Sequence, residues 1–165
     1  MEIELRDAAH EDLPGILAIV NYNILNSTAV YDYDPKTPED LQAWYKEKRD
    51  MGLPVIAAVE NEKVVGYGSY GPFRFKQGYR FTVEHSVYVL NGHSGKGIGR
   101  RIVADLIDRA KAAGYHTMIG GIDAENEGSI AFHKKLGFTE TGTIKEAGYK
   151  FDRWLDLTFM QLLLS

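Results

Sequence analysis

Glu84-His85-Ser86-Val87-Tyr88-Val89 runs through a short polar turn into Ser94-Gly95-Lys96-Gly97-Ile98-Gly99-Arg100, and an amphipathic segment follows. The first run has the β-branched and aromatic content of a strand. From about Gly97 to Ala113, Ile98, Ile102, Val103, Leu106, Ile107 and Ala110 recur at helical spacing, and Gly114 supplies the stop. Glycines at alternate positions let the backbone approach a ligand closely with its N–H groups turned inward, and the positive end of the helix dipole faces the same place. This pattern suits a phosphate cradle, with Glu84 within reach for chemistry. A nucleoside-triphosphate loop does not fit, because Lys96 is followed by Gly97 and Leu90 stands where its first glycine belongs. A dinucleotide fingerprint fails as well, with Arg100 at the third glycine position and the turn lying mid-chain. On the glycines alone, a turn that merely joins strand to helix stays open as an alternative.

The chain has 165 residues, 44% hydrophobic and 25% charged, and a formal net charge of -4. That length and balance suit one globular domain spanning 1–165, and the charge argues against a nucleic-acid or acidic-lipid partner. There is no cysteine, which excludes disulfides, thiolate metal sites and a cysteine nucleophile, and which fits a reducing compartment. Met1-Glu2-Ile3-Glu4-Leu5-Arg6 lacks the basic start and apolar run of a signal peptide, and no apolar stretch reaches the roughly 18 residues of a membrane span. A cytoplasmic protein without membrane attachment is expected. His10, His93 and His116 have no metal-ligand spacing, and no metal site is expected.

Working outward, Ile3 and Leu5 alternate as a short strand, and Leu13, Ile16, Leu17, Val20 and Ile24 fall at helical spacing. Asn26 to Pro38 reads as a loop beside a pocket, since it is polar yet carries Tyr31 and Tyr33. Thr37-Pro38-Glu39-Asp40 starts a second helix, with Thr as cap, Pro in the first turn and acids at the positive dipole end, and Gly52 and Pro54 end it. Val55 to Val59 and Val64 to Tyr70 flank Asn61-Glu62 as a hairpin, in which Gly66, Gly68 and Gly71 suggest a bulge or close ligand approach. Thr117 to Ile122 reads as a strand, Asn126 to Leu136 as a helix ended by Gly137, and Phe138 as the restart of extended chain. Phe151 to Leu163 alternates as a long last strand. The fold class expected is α/β (α+β): a mixed, mostly antiparallel central sheet of about seven strands flanked by about four helices.

Two stretches in order, Val87 to Arg100 and Asn126-Glu127-Gly128-Ser129-Ile130-Ala131-Phe132-His133-Lys134-Lys135-Leu136-Gly137-Phe138, resemble the cofactor motifs of the GNAT superfamily of N-acetyltransferases. Ser94 departs from the long Gln or Arg usual at that place, whereas Gly97 and Gly99 match. Ala29-Val30-Tyr31, Thr82 to Val89 and Gly148 to Gln161 extend the likeness to the subgroup of phosphinothricin and methionine sulfone/sulfoximine acetyltransferases. The resemblance implies acetyl-CoA as co-substrate. Its pantetheine arm would lie along Val87, Tyr88 and Val89, its pyrophosphate on Gly95, Lys96, Gly97, Ile98, Gly99 and Arg100, with Asn126 and Ser129 on the other side. It also implies an acceptor that is a small amino acid with a free amine, and a homodimer in which Tyr149 or Lys150 reaches towards a neighbouring site.

An amine attacks a thioester only after losing a proton, so a carboxylate near the cofactor is required. Glu84 is the candidate base, and partial burial of its strand would raise its pKa towards the working range; a structural pairing with an arginine is the plainer alternative. The departing thiolate benefits from a proton donor, a part the resemblance assigns to His133. Arg74 and Arg80, with Phe75, Lys76 and Tyr79 between or beside them, suit an acceptor carboxylate, since a guanidinium makes two parallel charge-assisted bonds. Tyr31, Glu84, His85 and Ser86 complete the candidate acceptor site, although strand alternation turns His85 to the face opposite Glu84, where core packing is the simpler expectation. Trp154, Phe151, Leu155, Leu157 and Phe159 read as core or subunit contacts. Two other readings remain at this level: a peptide N-terminal acetyltransferase, and an acyl-CoA-binding sensor without turnover.

Overall fold

A computed structural model describes residues 2–165. The elements are β1 (Glu4–Asp7), α1 (Leu13–Asn26), α2 (Pro38–Asp50), β2 (Val55–Glu60), β3 (Lys63–Pro72), β4 (Thr82–Val89), α3 (Ile98–Ala112), β5 (Thr117–Asp123), α4 (Glu127–Lys135), β6 (Thr139–Lys150) and β7 (Arg153–Leu163). Single 3-10 turns at His10–Asp12 and Gln77–Tyr79 precede α1 and β4. The seven strands form one sheet in the order β1-β2-β3-β4-β5-β7-β6. All neighbours are antiparallel except β4 and β5. Among the described residues no helix is long and apolar enough to cross a membrane.

Local chemistry explains the helix ends. Thr37 Oγ1 accepts from Asp40 N at 3.1 Å and Asp40 Oδ2 accepts from Thr37 N at 2.9 Å, a reciprocal cap that starts α2 as the sequence predicts. Asn61 and Glu62 take φ of 50° and 63°, the left-handed pair that a two-residue hairpin turn requires. Phe151 and Asp152 do the same at φ of 54° and 58°, so they form the β6–β7 turn rather than the start of the last strand. Neither position carries the glycine or asparagine that advertises such a turn, which is why alternation alone ran the strand through it.

Two apolar layers sandwich the sheet. On one face α1 and α2 cover Val55, Ala57, Val59, Val64 and Tyr67; on the other α3 packs Ile98, Ile102, Val103 and Leu106 against Ile56, Ala58, Val65 and Val83. Gly66 and Gly68 of β3 belong to this second layer, whereas a Cβ at Gly71 would stand 3.1 Å from Lys48 Nζ of α2 on the other face. A Cβ at Gly68 would stand 2.4 Å from Ile102 Cγ2, and one at Gly66 3.0 Å from Ile98 Cγ2. Their absence lets α3 lie directly on the strand, so close helix packing, not ligand approach, accounts for them. The register of β2 against β3 does slip between Ala58 and Val59.

Candidate active site

β4 and β5 part company. They pair only through Thr82/Thr117, Val83/Met118 and Glu84/Ile119; beyond that β4 continues to Val89 bonded to β3, and β5 continues to Asp123 bonded to β7. The opening lies at the C-terminal ends of two parallel strands, where α3 and α4 begin, the place at which open α/β sheets receive ligands. At its mouth Gly95 and Gly97 adopt φ of 82° and 76°, conformations that L side chains rarely take. Arg101 N to Gly97 O, 3.1 Å, is the first bond of α3, so the N–H groups of Ile98, Gly99 and Arg100 precede the helical ladder. An added Cβ on Gly99 would meet Val89 Cγ2 at 3.6 Å, Val87 Cγ2 at 3.9 Å and Phe132 Cζ of α4 at 3.9 Å. Turn, strand and α4 therefore converge on one groove whose polar lining is backbone. On its far side Asn126 Oδ1 caps α4 by accepting from Ser129 N at 3.1 Å.

Strand alternation gives β4 two different faces. Glu84, Ser86 and Tyr88 look into a cavity of about 510 Å³ between the sheet and α1 and α2, walled also by Val20, Val30, Trp44, Lys48, Tyr67 and Ser69. Glu84 is half-buried, and burial pushes its carboxyl above the usual range while the Arg74 guanidinium partly opposes the shift. Among the described residues it makes no salt bridge. A Cβ at Gly121 would lie 3.2 Å from Glu84 Oε2, 3.4 Å from Leu157 Cδ1 and 3.7 Å from Phe159 Cε1, so the bare backbone of β5 leaves room beside the carboxylate. The arrangement offers a carboxylate of raised proton affinity at the point where the two strands separate.

The opposite face of β4 is closed. His85 Nδ1 lies 3.1 Å from the carbonyl of Ile119, and His85 Nε2 lies 2.8 Å from Nε2 of His133. His133 is only 1% exposed, with its Nδ1 2.7 Å from the Ser129 carbonyl and 3.4 Å from Ser129 Oγ. Burial pulls both imidazoles below their ordinary value, His85 to about 3.

Residues 19–138 match the acetyltransferase (GNAT) family. The chain belongs to that family. It is 46% identical to an L-methionine sulfoximine/L-methionine sulfone acetyltransferase of Pseudomonas paraeruginosa, over all of this chain and 96% of the relative. Its backbone superimposes on an N-acetyltransferase from Staphylococcus aureus Mu50 with a TM-score of 0.99, at 45% identity and full coverage of both chains. A GNAT superfamily phosphinothricin acetyltransferase from Sinorhizobium meliloti, solved in complex with acetyl-CoA, aligns with a TM-score of 0.96 at 36% identity, over 100% of this chain and 90% of that one.

Within this acetyltransferase the residues singled out from sequence separate into groups. Val87, Val89, Gly95, Lys96, Gly97, Ile98, Gly99, Arg100, Asn126 and Ser129 gather round the groove. Glu84 and Ser86 face the cavity, as does the ring of Tyr88. His85 does not, for it is buried against His133 on the other face. Tyr31 also stands apart: its ring lies so close over Gly148 that a Cβ there would be 2.6 Å from Tyr31 Cε2, while the adjacent Val30 turns to the cavity. Arg74, Phe75, Lys76 and Tyr79 line a separate, shallow depression at the β3–β4 turn, and Arg80 lies beside it with its guanidinium 4.7 Å over the Phe81 ring. Phe75 is 88% exposed. Of this group, Arg74 alone reaches Glu84, through its charge.

Lys150 is buried, and its ammonium donates to the carbonyls of Val30 at 2.5 Å, Ser27 at 2.8 Å and Asn23 at 3.5 Å. It anchors the end of α1 and the loop of its own chain, so it does not extend to a neighbouring site. Sequence reasoning overlooked Trp44, Lys48 and Tyr67. The spacing Leu41, Trp44, Tyr45, Lys48 on α2 carried the signal, since it sets an aromatic ring and a lysine on the stripe that faces the sheet.

Proposed function

We propose that this acetyltransferase moves the acetyl group of acetyl-CoA directly to the amine of a small amino acid or analogue of the methionine sulfone, methionine sulfoximine or phosphinothricin type. The observation that carries the reading is the position of Glu84, half-buried in the cavity at the rung where β4 and β5 diverge. The groove from Val87 to Arg100 suits the pantetheine and pyrophosphate of the coenzyme, because its donors are backbone N–H groups at a helix start. The cavity suits a small acceptor, because its volume of about 510 Å³, walled by Trp44, Tyr67 and Tyr88, falls in the ordinary range of small-molecule sites. In this reading Glu84 takes the proton of the attacking nitrogen, directly or through water, and its raised proton affinity brings it nearer the working pH. Trp44 and Tyr67, whose rings meet edge-on at 6.1 Å, hold the aliphatic part of the acceptor. The names of the relatives support this acceptor class.

The same reading makes residues 1–165 one catalytic domain, working in the cytoplasm where acetyl-CoA is made. It makes the protein a homodimer, supported by an exposed aromatic patch of Tyr149, Phe151 and Trp154 at the β6–β7 turn beside Tyr33 and Leu25. The decisive experiment measures free CoA released from acetyl-CoA with methionine sulfone, methionine sulfoximine, phosphinothricin and a panel of peptide N-termini. Turnover confined to the amino acids is expected. Peptide turnover alone, or coenzyme binding without turnover on any amine, would reject the proposal.

A further inference from the structure

The turn between β4 and α3 has little of its own to hold it. Among the described residues, the N–H groups of Ser94, Gly95, Lys96, Gly97, Ile98, Gly99 and Arg100 find no hydrogen-bond acceptor, and the side chains of Ser94, Lys96 and Arg100 have no polar partner. A run of open donors suits an anion, yet a backbone without internal bonds keeps its shape only if something outside it does the holding. At one end Leu90 N donates to Val65 O at 2.8 Å and the Leu90 side chain packs on the apolar layers; at the other Ile98 is buried under α3. Between those ends His93 reaches back into the sheet.

His93 takes its direction from the glycine before it. Gly92 adopts φ of 88° and folds the chain so that His93 N donates to Leu90 O at 3.0 Å. The imidazole is then 21% exposed, with its Nε2 3.5 Å from Oε2 of Glu60, the last residue of β2, itself 19% exposed. A carboxylate only accepts, so this contact sets the ring proton on Nε2. Nδ1 is buried and has no partner among the described residues, so it offers no second hold. The polar tether of the ring therefore runs through Glu60, immediately before the open donors begin.

We propose that the His93–Glu60 contact is a strut that keeps the diphosphate cradle in its coenzyme-binding shape, with His93 as a positioning residue for acetyl transfer. The proposal rests on the reading of the turn from Ser94 to Arg100 as the diphosphate site. His93 is turned to the sheet and acts through the backbone that follows it. A loop already fixed gives up less conformational freedom when the diphosphate lands on it, and that difference appears as affinity. The diphosphate is remote from the thioester, so the hold strengthens ground state and transition state alike; it lowers KM and leaves kcat in place. It also acts on the coenzyme alone, because the acceptor cavity draws none of its walls from this turn.

Steady-state kinetics with two acetyl donors separate this role from a merely structural one. S-acetylpantetheine carries the thioester arm without the diphosphate. His93→Ala should raise the KM for acetyl-CoA about five- to tenfold with kcat and the acceptor KM unchanged, and should leave kcat/KM for S-acetylpantetheine at its wild-type value. Glu60→Ala breaks the same contact from β2 and should act alike, and the double variant should be no worse than either single one. His93→Gln keeps an N–H donor for Glu60 and should recover most of the affinity; with Glu60→Ala it carries the test should His93→Ala not fold. Should the short donor turn over too slowly to measure, the comparison of single and double variants decides. Equal losses with both donors, additive losses in the double variant, or acetyl-CoA kinetics indifferent to His93→Ala and Glu60→Ala would overturn the proposal. Calorimetry with coenzyme A keeps that failure apart from failure of the cradle reading. Affinity that answers to Gly97→Val but not to His93→Ala rejects the strut alone, whereas affinity indifferent to Gly97→Val rejects the cradle and the strut with it.

Discussion

The groove at the start of α3 and the cavity beside Glu84 meet on one strand, yet they are made of different material. The groove is made of backbone. Gly95 and Gly97 supply its left-handed turns with nothing within 4 Å of where their Cβ atoms would be, and the side chains of Lys96 and Arg100 lie exposed. The cavity is made of side chains from α1, the following loop, α2, β3 and β4. A backbone site tolerates exchange of side chains such as Ser94, provided the glycines stay. A side-chain site changes its preference with each exchange, because one added or lost methylene in a pocket is worth about 1–3 kcal/mol of discrimination.

That contrast predicts substitutions whose effects separate cleanly between the two substrates. Glu84→Gln keeps the shape of the cavity and removes the base, so kcat should fall by about 10²–10⁴ while calorimetry finds coenzyme affinity unchanged. The acid limb of the kcat/KM profile should vanish with it. In the wild-type protein that limb sits above the ordinary carboxylate value, since burial raises Glu84 and the base works only when ionised, so activity climbs as pH rises through the shifted pKa. Gly97→Val attacks the other region. A β-branched residue at φ of 76° is strained by roughly 1–3 kcal/mol, and coenzyme binding should weaken by about tenfold or more while the acceptor KM stays put. An equal loss for both substrates in either variant would erase the distinction between groove and cavity.

The same division explains what could be read from the sequence. Residues that build the groove lie together, and the periodicity of Ile98, Ile102, Val103, Leu106, Ile107 and Ala110 placed α3 correctly because all six are buried. Thr37 and Asp40 disclosed the start of α2, since capping is local chemistry. The cavity is tertiary: nothing near Trp44 in sequence says that Tyr67 and Tyr88 will stand beside it. Arg74 and Arg80 were plausible carboxylate partners by type, but the β3–β4 turn carries them to a different depression. His85 was correctly turned away from Glu84 by alternation, whereas its bond to His133, 48 residues on, required the fold.

Trp44→Ala sharpens the comparison at intermediate scale. Loss of its edge-on contact with Tyr67 and of the wall it forms should raise the acceptor KM by about tenfold, with the coenzyme KM within about twofold. Initial-rate kinetics with each substrate varied in turn would check it. Lys150→Met should act on the same side and less strongly. It releases the carbonyls of Ser27 and Val30, so the loop that presents Val30 to the cavity loosens, and the acceptor KM should rise a few-fold, on the order of 1 kcal/mol.

The smallest effect discriminates between two roles for the arginines of the β3–β4 turn. Arg74 lowers the proton affinity of Glu84 through space, and Arg80, stacked on Phe81, has no part in it. Arg74→Ala should therefore move the acid limb of kcat/KM upward, by less than about one pH unit given that the guanidinium is exposed and screened, whereas Arg80→Ala should leave the limb in place. If the two arginines instead clamp the carboxylate of the acceptor, both substitutions raise the acceptor KM together and neither shifts the limb. Adding salt separates the cases again, since screening would reproduce the Arg74→Ala shift in the wild-type protein and leave the variant unmoved.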